Sequence, residues 1–212
     1  QYVRIAGAVA ARAPEGRVLD WGAGWGQTSL LLAAHGLRVT AYDVEEKGAG
    51  TGLLAGTGVP YVVDPSPALP FGDAVFDAVL NCGVLEHVSD ERRALAELWR
   101  VLQPGGWLFT FHLPNRYAYT EWLGRRLGRF HHDRTYTRGA AISLFAGAGW
   151  EVVECRPFHV LPRNAFGRTA AGRWAGDRTA ALFDRVDTGL ERLPGVNRLA
   201  TAWQLLARRP AC

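Results

Sequence analysis

Three carboxylates and three glycines are the first residues in this 212-residue sequence whose types and spacing suggest chemistry. Asp20, Asp43 and Asp64 each close a short apolar stretch, in "RVLD", "RVTAYD" and "VPYVVD". Gly22, Gly24 and Gly26 follow the first of these in "VLDWGAGWGQTSLLLAAHG". Alternating glycines let a backbone turn sharply and approach a ligand, and a helix beginning there aims free amides at it. A carboxylate accepts hydrogen bonds from paired hydroxyls or from an amino group. Together they suit a nucleotide-like ligand with a ribose. The order is G-x-G-x-G, with Gln27 where a dinucleotide loop carries its later glycine, so the loop alone does not name the ligand.

Histidine is the second chemical signal, since its imidazole can take a proton near neutral pH. His87 follows a strand-like "FDAVLN", and His112 ends a strand-like "WLFTF". His131 and His132 stand beside Asp133 and Tyr136 in a stretch of mixed aromatics and arginines. Packing for His87, and plain exposure for the pair, are the competing structural readings.

These residues need a scaffold that brings strand ends together. Strands are expected at 17–20, 38–43, 59–64, 76–81 and 107–111, with helices at 3–12, 28–35 and 91–102 between or before them. That alternation predicts a parallel sheet with right-handed crossovers. Five glycines between Glu45 and Gly58 predict an irregular link instead of a crossover helix, packed only by Leu53 and Leu54. "PGG" at 104–106 reads as a break. Beyond Leu113 a helix is expected in "RGAAISLFAGAGW", a strand in "EVVECRPF", helix in part of 161–198 and a last strand in "ATAWQLLARRP", whose composition would also permit a helix.

The motifs resemble those of class I S-adenosylmethionine-dependent methyltransferases over roughly residues 15–155. "VLDWGAGWG" resembles that family's first motif and "AYD" its ribose-binding acidic position. "YVVDPSPALPFGDAVFDAVLNCGVLEHV" and "RVLQPGGWLFTF" resemble its later motifs. The resemblance implies an α/β, Rossmann-like fold: a mostly parallel seven-stranded sheet flanked by helices, with an acceptor lid inserted after the fifth strand. It also implies S-adenosylmethionine as cofactor and S-adenosylhomocysteine as product. Asp20 would orient the methionine amino group, Gly22, Gly24 and Gly26 would line methionine and ribose, and Asp43 and Asp64 would bind ribose and adenine. Asn81 and Cys82, just past the fourth strand, would meet the methionine end, and Trp25 would stack on the cofactor or cover its pocket. His112, His87 and His132 are the candidate general bases. Asn115, Arg116, Tyr117, Tyr119 and Tyr136 are the candidate acceptor contacts, the alternative being a helix pair that buries Trp122 and Leu123. "LEHV" also resembles the ubiquinone-pathway O-methyltransferases, whose metal site uses E-x-x-E and a histidine. Gly83 stands where the first glutamate would be, so no metal is expected.

Composition sets the remaining bounds. Apolar residues make up 48% and charged residues 21%, and one domain spanning 1–212 is expected, a cofactor half at 1–112 and a lid, last strands and helices at 113–212. No apolar run approaches the roughly 18 residues of a membrane span. The opening "QYVRIAGAVAARAPEG" lacks the apolar stretch of a signal peptide, and at least an initiator residue is expected before Gln1. Cys82, Cys155 and Cys212 form no CxxC pair, which suits reduced thiols and a cytoplasmic setting. Residues 1–112 hold 8 Lys/Arg against 12 Asp/Glu, and 113–212 hold 16 against 8, a basic half suited to an anionic acceptor. The arginines are dispersed, so no nucleic-acid partner is expected. The expected reaction is methyl transfer to a small molecule, most simply at oxygen: a natural product, sugar, quinone or glycolipid. RNA or protein methylation, and a non-catalytic cofactor-binding scaffold, are the alternatives.

Overall fold

Val18 and Leu19 are neighbours in sequence and lie buried against opposite faces of one sheet, because successive side chains of a strand alternate. The computed structural model describes residues 1–47, 53–128, 131–161 and 170–211. Val18 joins Ile5, Val9, Leu32 and Phe109 on one face. Leu19 joins Leu95, Leu98, Leu108 and Phe145 on the other. Burial on both faces is what parallel strands demand.

In chain order the elements are α1 (Tyr2–Ala10), β1 (Arg17–Trp21), α2 (Gln27–Ala34), β2 (Arg38–Asp43), β3 (Tyr61–Val63), β4 (Phe76–Cys82), α3 (Glu91–Val101), β5 (Leu102–Pro114), α4 (Tyr119–Arg126), α5 (Arg138–Gly147), β6 (Glu151–Phe158), α6 (Ala170–Arg192) and β7 (Ala202–Arg208). The sheet order is β3-β2-β1-β4-β5-β7-β6, with β7 alone antiparallel to its neighbours. The expected seven-stranded, mostly parallel, helix-flanked architecture is therefore present. Strand order reverses between β1 and β4, and the crevice beyond their carboxyl ends is where such sheets bind ligands.

Helix α3 shows how the sequence fixes this frame. Asp90 caps its first turn by accepting from Arg93 N, and Leu95, Leu98 and Val101 face the core. From its last turn Arg100 donates to Leu69 O (3.0 Å) and Phe71 O (2.8 Å) and pairs with Glu97 and Asp73. The loop entering β4 is thus fastened to the helix. Arg100→Ala is expected to cost about 1–2 kcal/mol, since two carbonyl contacts and two partly exposed ion pairs are lost, and thermal unfolding measures it.

Several expected boundaries move. β5 begins at Leu102 and absorbs "PGG", because Gly105 N donates to Arg209 O and Arg209 N to Gly106 O across the sheet. His112 consequently lies inside β5, and Asn81 and Cys82 lie inside β4 rather than past it. The β2–β3 link has no helix among its described residues. Leu54 is buried on Ala23 and Ala41, but Leu53 is 51% exposed, so one leucine packs and not two. Residues 48–52 of that link, and Cys212, lie outside the described residues. In the lid, Trp122 and Leu123 are exposed at 63% and 42%, which removes the buried helix pair. No helix among the described residues is long and apolar enough to cross a membrane.

Candidate functional site

The glycine loop is tied down on three sides before any ligand is considered. Gly22 N and Ala23 N both donate to Tyr42 O, at 2.8 and 2.9 Å. Gly24 N donates to Asp43 Oδ2 at 2.8 Å, and Tyr61 Oη donates to Gly24 O at 2.9 Å. Gly22 has φ 74°, a left-handed conformation costly for any residue with a Cβ, and Val84 fills the space a Cβ would need. Gly26 caps α2 at φ 81° against the Leu54 side chain.

The acidic residues have unequal surroundings. Asp20 is 2% exposed and accepts from Ser29 Oγ at 2.6 Å. Burial pushes its carboxyl up to about 6, with the Ser29 bond opposing and the Asp43 charge adding to the rise. Asp43 is also buried, and its Oδ1 accepts from Val44 N at 2.8 Å. Asp64 Oδ1 accepts from Ser66 N at 2.7 Å, a turn that lowers its carboxyl below the usual range. Between Trp21, Tyr42, Val44, Pro65, Leu69 and Val88, at the ends of β1 and β2, lies a cavity of about 340 Å³.

Two observations test these residues against S-adenosylmethionine. A Cβ built on Gly24 meets no atom of the described residues within 4 Å, so among them the loop offers bare backbone on that side. Asn81 is 1% exposed at the end of β4, and its Oδ1 has no hydrogen-bond partner among the described residues. Acceptors for an amino group and for ribose hydroxyls, with backbone left uncovered between them, fit the group. Trp25 is 56% exposed at the loop tip and stacks on no described residue.

The structure divides the candidate bases between two places. His87 and His132 meet with ring centroids 6.0 Å apart, and Glu121 holds His132 through Nδ1 (2.7 Å) and backbone N (2.9 Å). Burial, then the charges of His132, Lys47 and Arg134, lowers the imidazolium pKa of His87. Ligand atoms of Glu86, His87 and His132 lie within 4.8 Å of one another, so the lid supplies a third donor where Gly83 supplies none. These residues and His131 border a cavity of about 630 Å³. His112 lies elsewhere, stacked on His159, a residue the sequence reading did not select. The rule that selected His112, a histidine at a strand's carboxyl end, applies equally to His159 after β6.

Among the expected acceptor contacts, Arg116 and Tyr117 are exposed and Tyr119 is half-buried. Asn115 is fully buried and spends its amide on Arg198 O, Ala200 O and Tyr117 N, so it braces the chain rather than facing an acceptor. Tyr136 is buried too, its hydroxyl on Glu91 and its carbonyl on Trp203 Nε1, so it belongs to the core.

Residues 19–110 match the family model described as a methyltransferase domain. Over those residues the chain carries a methyltransferase domain. It is 38% identical over 120 residues to a demethylmenaquinone methyltransferase of Renibacterium salmoninarum, covering 54% of this chain and 51% of that one. A protein of Mycolicibacterium smegmatis named "probable S-adenosylmethionine-dependent methyltransferase" is 32% identical over 151 residues, covering 71% of this chain and 56% of its own. The chain thus spans about half the length of these curated relatives. In fold it is similar to a crystal structure of a SAM-dependent methyltransferase from Methanosarcina mazei, at TM-score 0.68 and 18% identity over 96% of this chain and 97% of that one. The matched domain contains Asp20, Asp43, Asp64, Asn81 and His87, whereas His112, the lid and His159 lie beyond it.

Proposed function

We propose that this methyltransferase moves the methyl group of S-adenosylmethionine to a hydroxyl-bearing small molecule, and that a quinol is the acceptor to try first. The observation that carries the reading is the Gly24–Asp43 contact, a buried carboxylate holding the glycine loop beside open space. When bound, S-adenosylmethionine supplies a methyl group activated on a sulfonium. Asp43 has lone pairs left for ribose hydroxyls after its two backbone contacts, since a carboxylate offers about four acceptor sites. Asp20 and Asn81 Oδ1 face the amino-acid end, Val44 and the adjoining cavity receive the adenine, and Asp64 accepts from its amino group. The relatives named for demethylmenaquinone support a quinol acceptor, and the arginines of the lid suit an anionic one. The domain division at 112, and a cytoplasmic setting, belong to the same reading.

Calorimetric titration with S-adenosylhomocysteine, with NADH as control, tests it. One-to-one binding of the first alone is expected; binding of neither, or of NADH, sinks the reading.

Asp20 gives that titration a pH signature. With its carboxyl near 6 in the free protein, the residue holds a proton in the folded chain at pH values where the unfolded chain has lost it. Its burial therefore lowers stability as pH rises from the unfolded value of 3.8 through about 6. A ligand ammonium favours the carboxylate and releases the proton. S-adenosylhomocysteine affinity is expected to be level above pH 7 and to fall by up to about tenfold per unit below 6. Titrations in buffers of different ionisation enthalpy count the proton released, and Asp20→Asn removes it.

A further inference from the structure

Four described non-glycine residues have positive φ, and two of them, His112 (61°) and His159 (58°), stack on one another. Their ring centroids are 5.5 Å apart and their planes differ by 12°. A left-handed conformation costs a residue with a Cβ about 1–2 kcal/mol, and such strain persists where surrounding contacts over-determine it. β5 and β6 point the same way with β7 between them, so both imidazoles stand at the carboxyl edge of the sheet. A Cβ on Gly83, the residue after β4, would lie 3.8 Å from that of His112, so the stack adjoins the methionine end of the proposed cofactor site.

His159 is held by one edge of its ring, and the nitrogen at its other edge is buried and unpartnered among the described residues. It is 5% exposed, and its Nδ1 lies 2.5 Å from Oδ2 of the fully buried Asp187 on α6. Asp187 Oδ1 accepts from Val160 N and Leu161 N, each at 2.8 Å. Burial raises the Asp187 carboxyl, but the His159 bond and these amides outweigh it and hold the group below its usual range, hence charged. His159 Nε2 has no hydrogen-bond partner among the described residues.

Groups from three described elements flank the ring. From α1, Arg4 pairs with Glu191 at 2.7 Å and lies over the Phe158 ring, while Tyr2 meets His112 edge-on. From α4, Tyr119 is near enough to feel the Asp187 charge. From α6, Glu191 Oε1 accepts from His159 N at 2.8 Å. Arg4 already supplies the cation for Glu191, so the His159–Asp187–Glu191 group is an oriented imidazole rather than a metal centre.

We propose that His159 is the general base of the methyl transfer and that Asp187 is its positioning residue. The proposal rests on the methyltransferase reading above. His159 Nε2 takes the quinol's hydroxyl proton as the electron pair this leaves, shared with the adjacent ring carbon, forms the bond from that carbon to the methyl carbon, and the ring carbon then loses its hydrogen as a proton to water. The carbon–sulfur bond of the sulfonium breaks with its electron pair returning to sulfur, and the imidazolium later gives its proton to water. Asp187 keeps the ring's own proton on Nδ1, so that Nε2 is the basic atom.

The test compares wild type, His159→Gln and Asp187→Asn. S-adenosylhomocysteine titration comes first, and affinities within about threefold of one another show that the variants fold and keep the cofactor site. Nitrogen-15 spectra of the histidine rings then place the proton. At pH 8 the ring proton of wild-type His159 is expected on Nδ1, a preference lost in Asp187→Asn. Initial rates with a short-chain demethylmenaquinol as probe are expected to fall by about 10²-fold or more in His159→Gln, with the acid limb of the pH profile gone. A proton on Nε2 in wild type overturns the proposal, and so does His159→Gln turning over the probe at the wild-type rate and pH profile. If wild type leaves that probe unmethylated, the ring spectra decide. Failure of wild type to bind S-adenosylhomocysteine sinks the methyltransferase reading separately, because the proton's position is read without it.

Discussion

Asp43→Ala is expected to weaken S-adenosylhomocysteine binding by at least about tenfold, or roughly 1.4 kcal/mol. The larger part of the effect arises inside the protein. Asp43 accepts from Gly24 N and Val44 N, both at 2.8 Å, and its loss leaves two amides at the ligand edge without their anion. Hydrogen bonds to a charged group contribute about 1.5–3 kcal/mol, so the loop loosens as well as losing its contact to the ribose. Asp43→Asn separates these effects. It preserves the shape and one acceptor oxygen, so it should retain more of the unfolding temperature than of the affinity. Calorimetric titration beside a thermal melt measures both. Wild-type affinity in Asp43→Ala would remove the residue from the site.

Gly22→Ala is expected to be strongly destabilising for a single added methyl group. At φ 74° the left-handed penalty is about 1–2 kcal/mol, and the new Cβ runs into the methyls of Val84, adding an overpacking cost of about 1–3 kcal/mol. A total near 3 kcal/mol corresponds to a melting temperature lower by roughly 10 °C in a chain of this size. Gly24→Ala is the informative partner. Its φ is 56°, but a Cβ there meets nothing among the described residues. That variant should melt only a few degrees lower while losing affinity, because the added methyl occupies ligand space. If the two variants behave alike, the open side of Gly24 is not the ligand's side.

The sequence was legible where one local rule acted alone. Val18, Leu19, Val79 and Leu80 announce strands buried on both faces, and Asp90 with Leu95 and Leu98 announces a capped amphipathic helix. The carboxylates at the strand ends were legible for the same reason. Tertiary pairing hid the rest. "PGG" reads as a break until Arg209 supplies partners for Gly105 and Gly106. Asn115 and Tyr136 have the composition of a binding wall, yet Arg198, Ala200 and Glu91 claim their polar atoms from distant segments. Asp187 sits in a helix with nothing local to mark it, and only folding brings it to His159.

The position of β7 bears on how the chain assembles. Residues 202–208 are inserted between β5 and β6, so the strand that joins the two parts of the sheet comes after both of them in sequence. Until it arrives, β5 and β6 each present a row of unpaired amides and carbonyls, the kind of edge that recruits other chains. During synthesis the first five strands can dock early, but His159 and Asp187 have no fixed register until the last strand seats beside them. Closing the sheet is a long-range event, slow relative to helix formation, and this is the interval in which a nascent chain is most exposed to misassembly. Substitutions at Leu205 or Leu206, fully or almost fully buried in that strand, would therefore affect yield and aggregation before they affected catalysis.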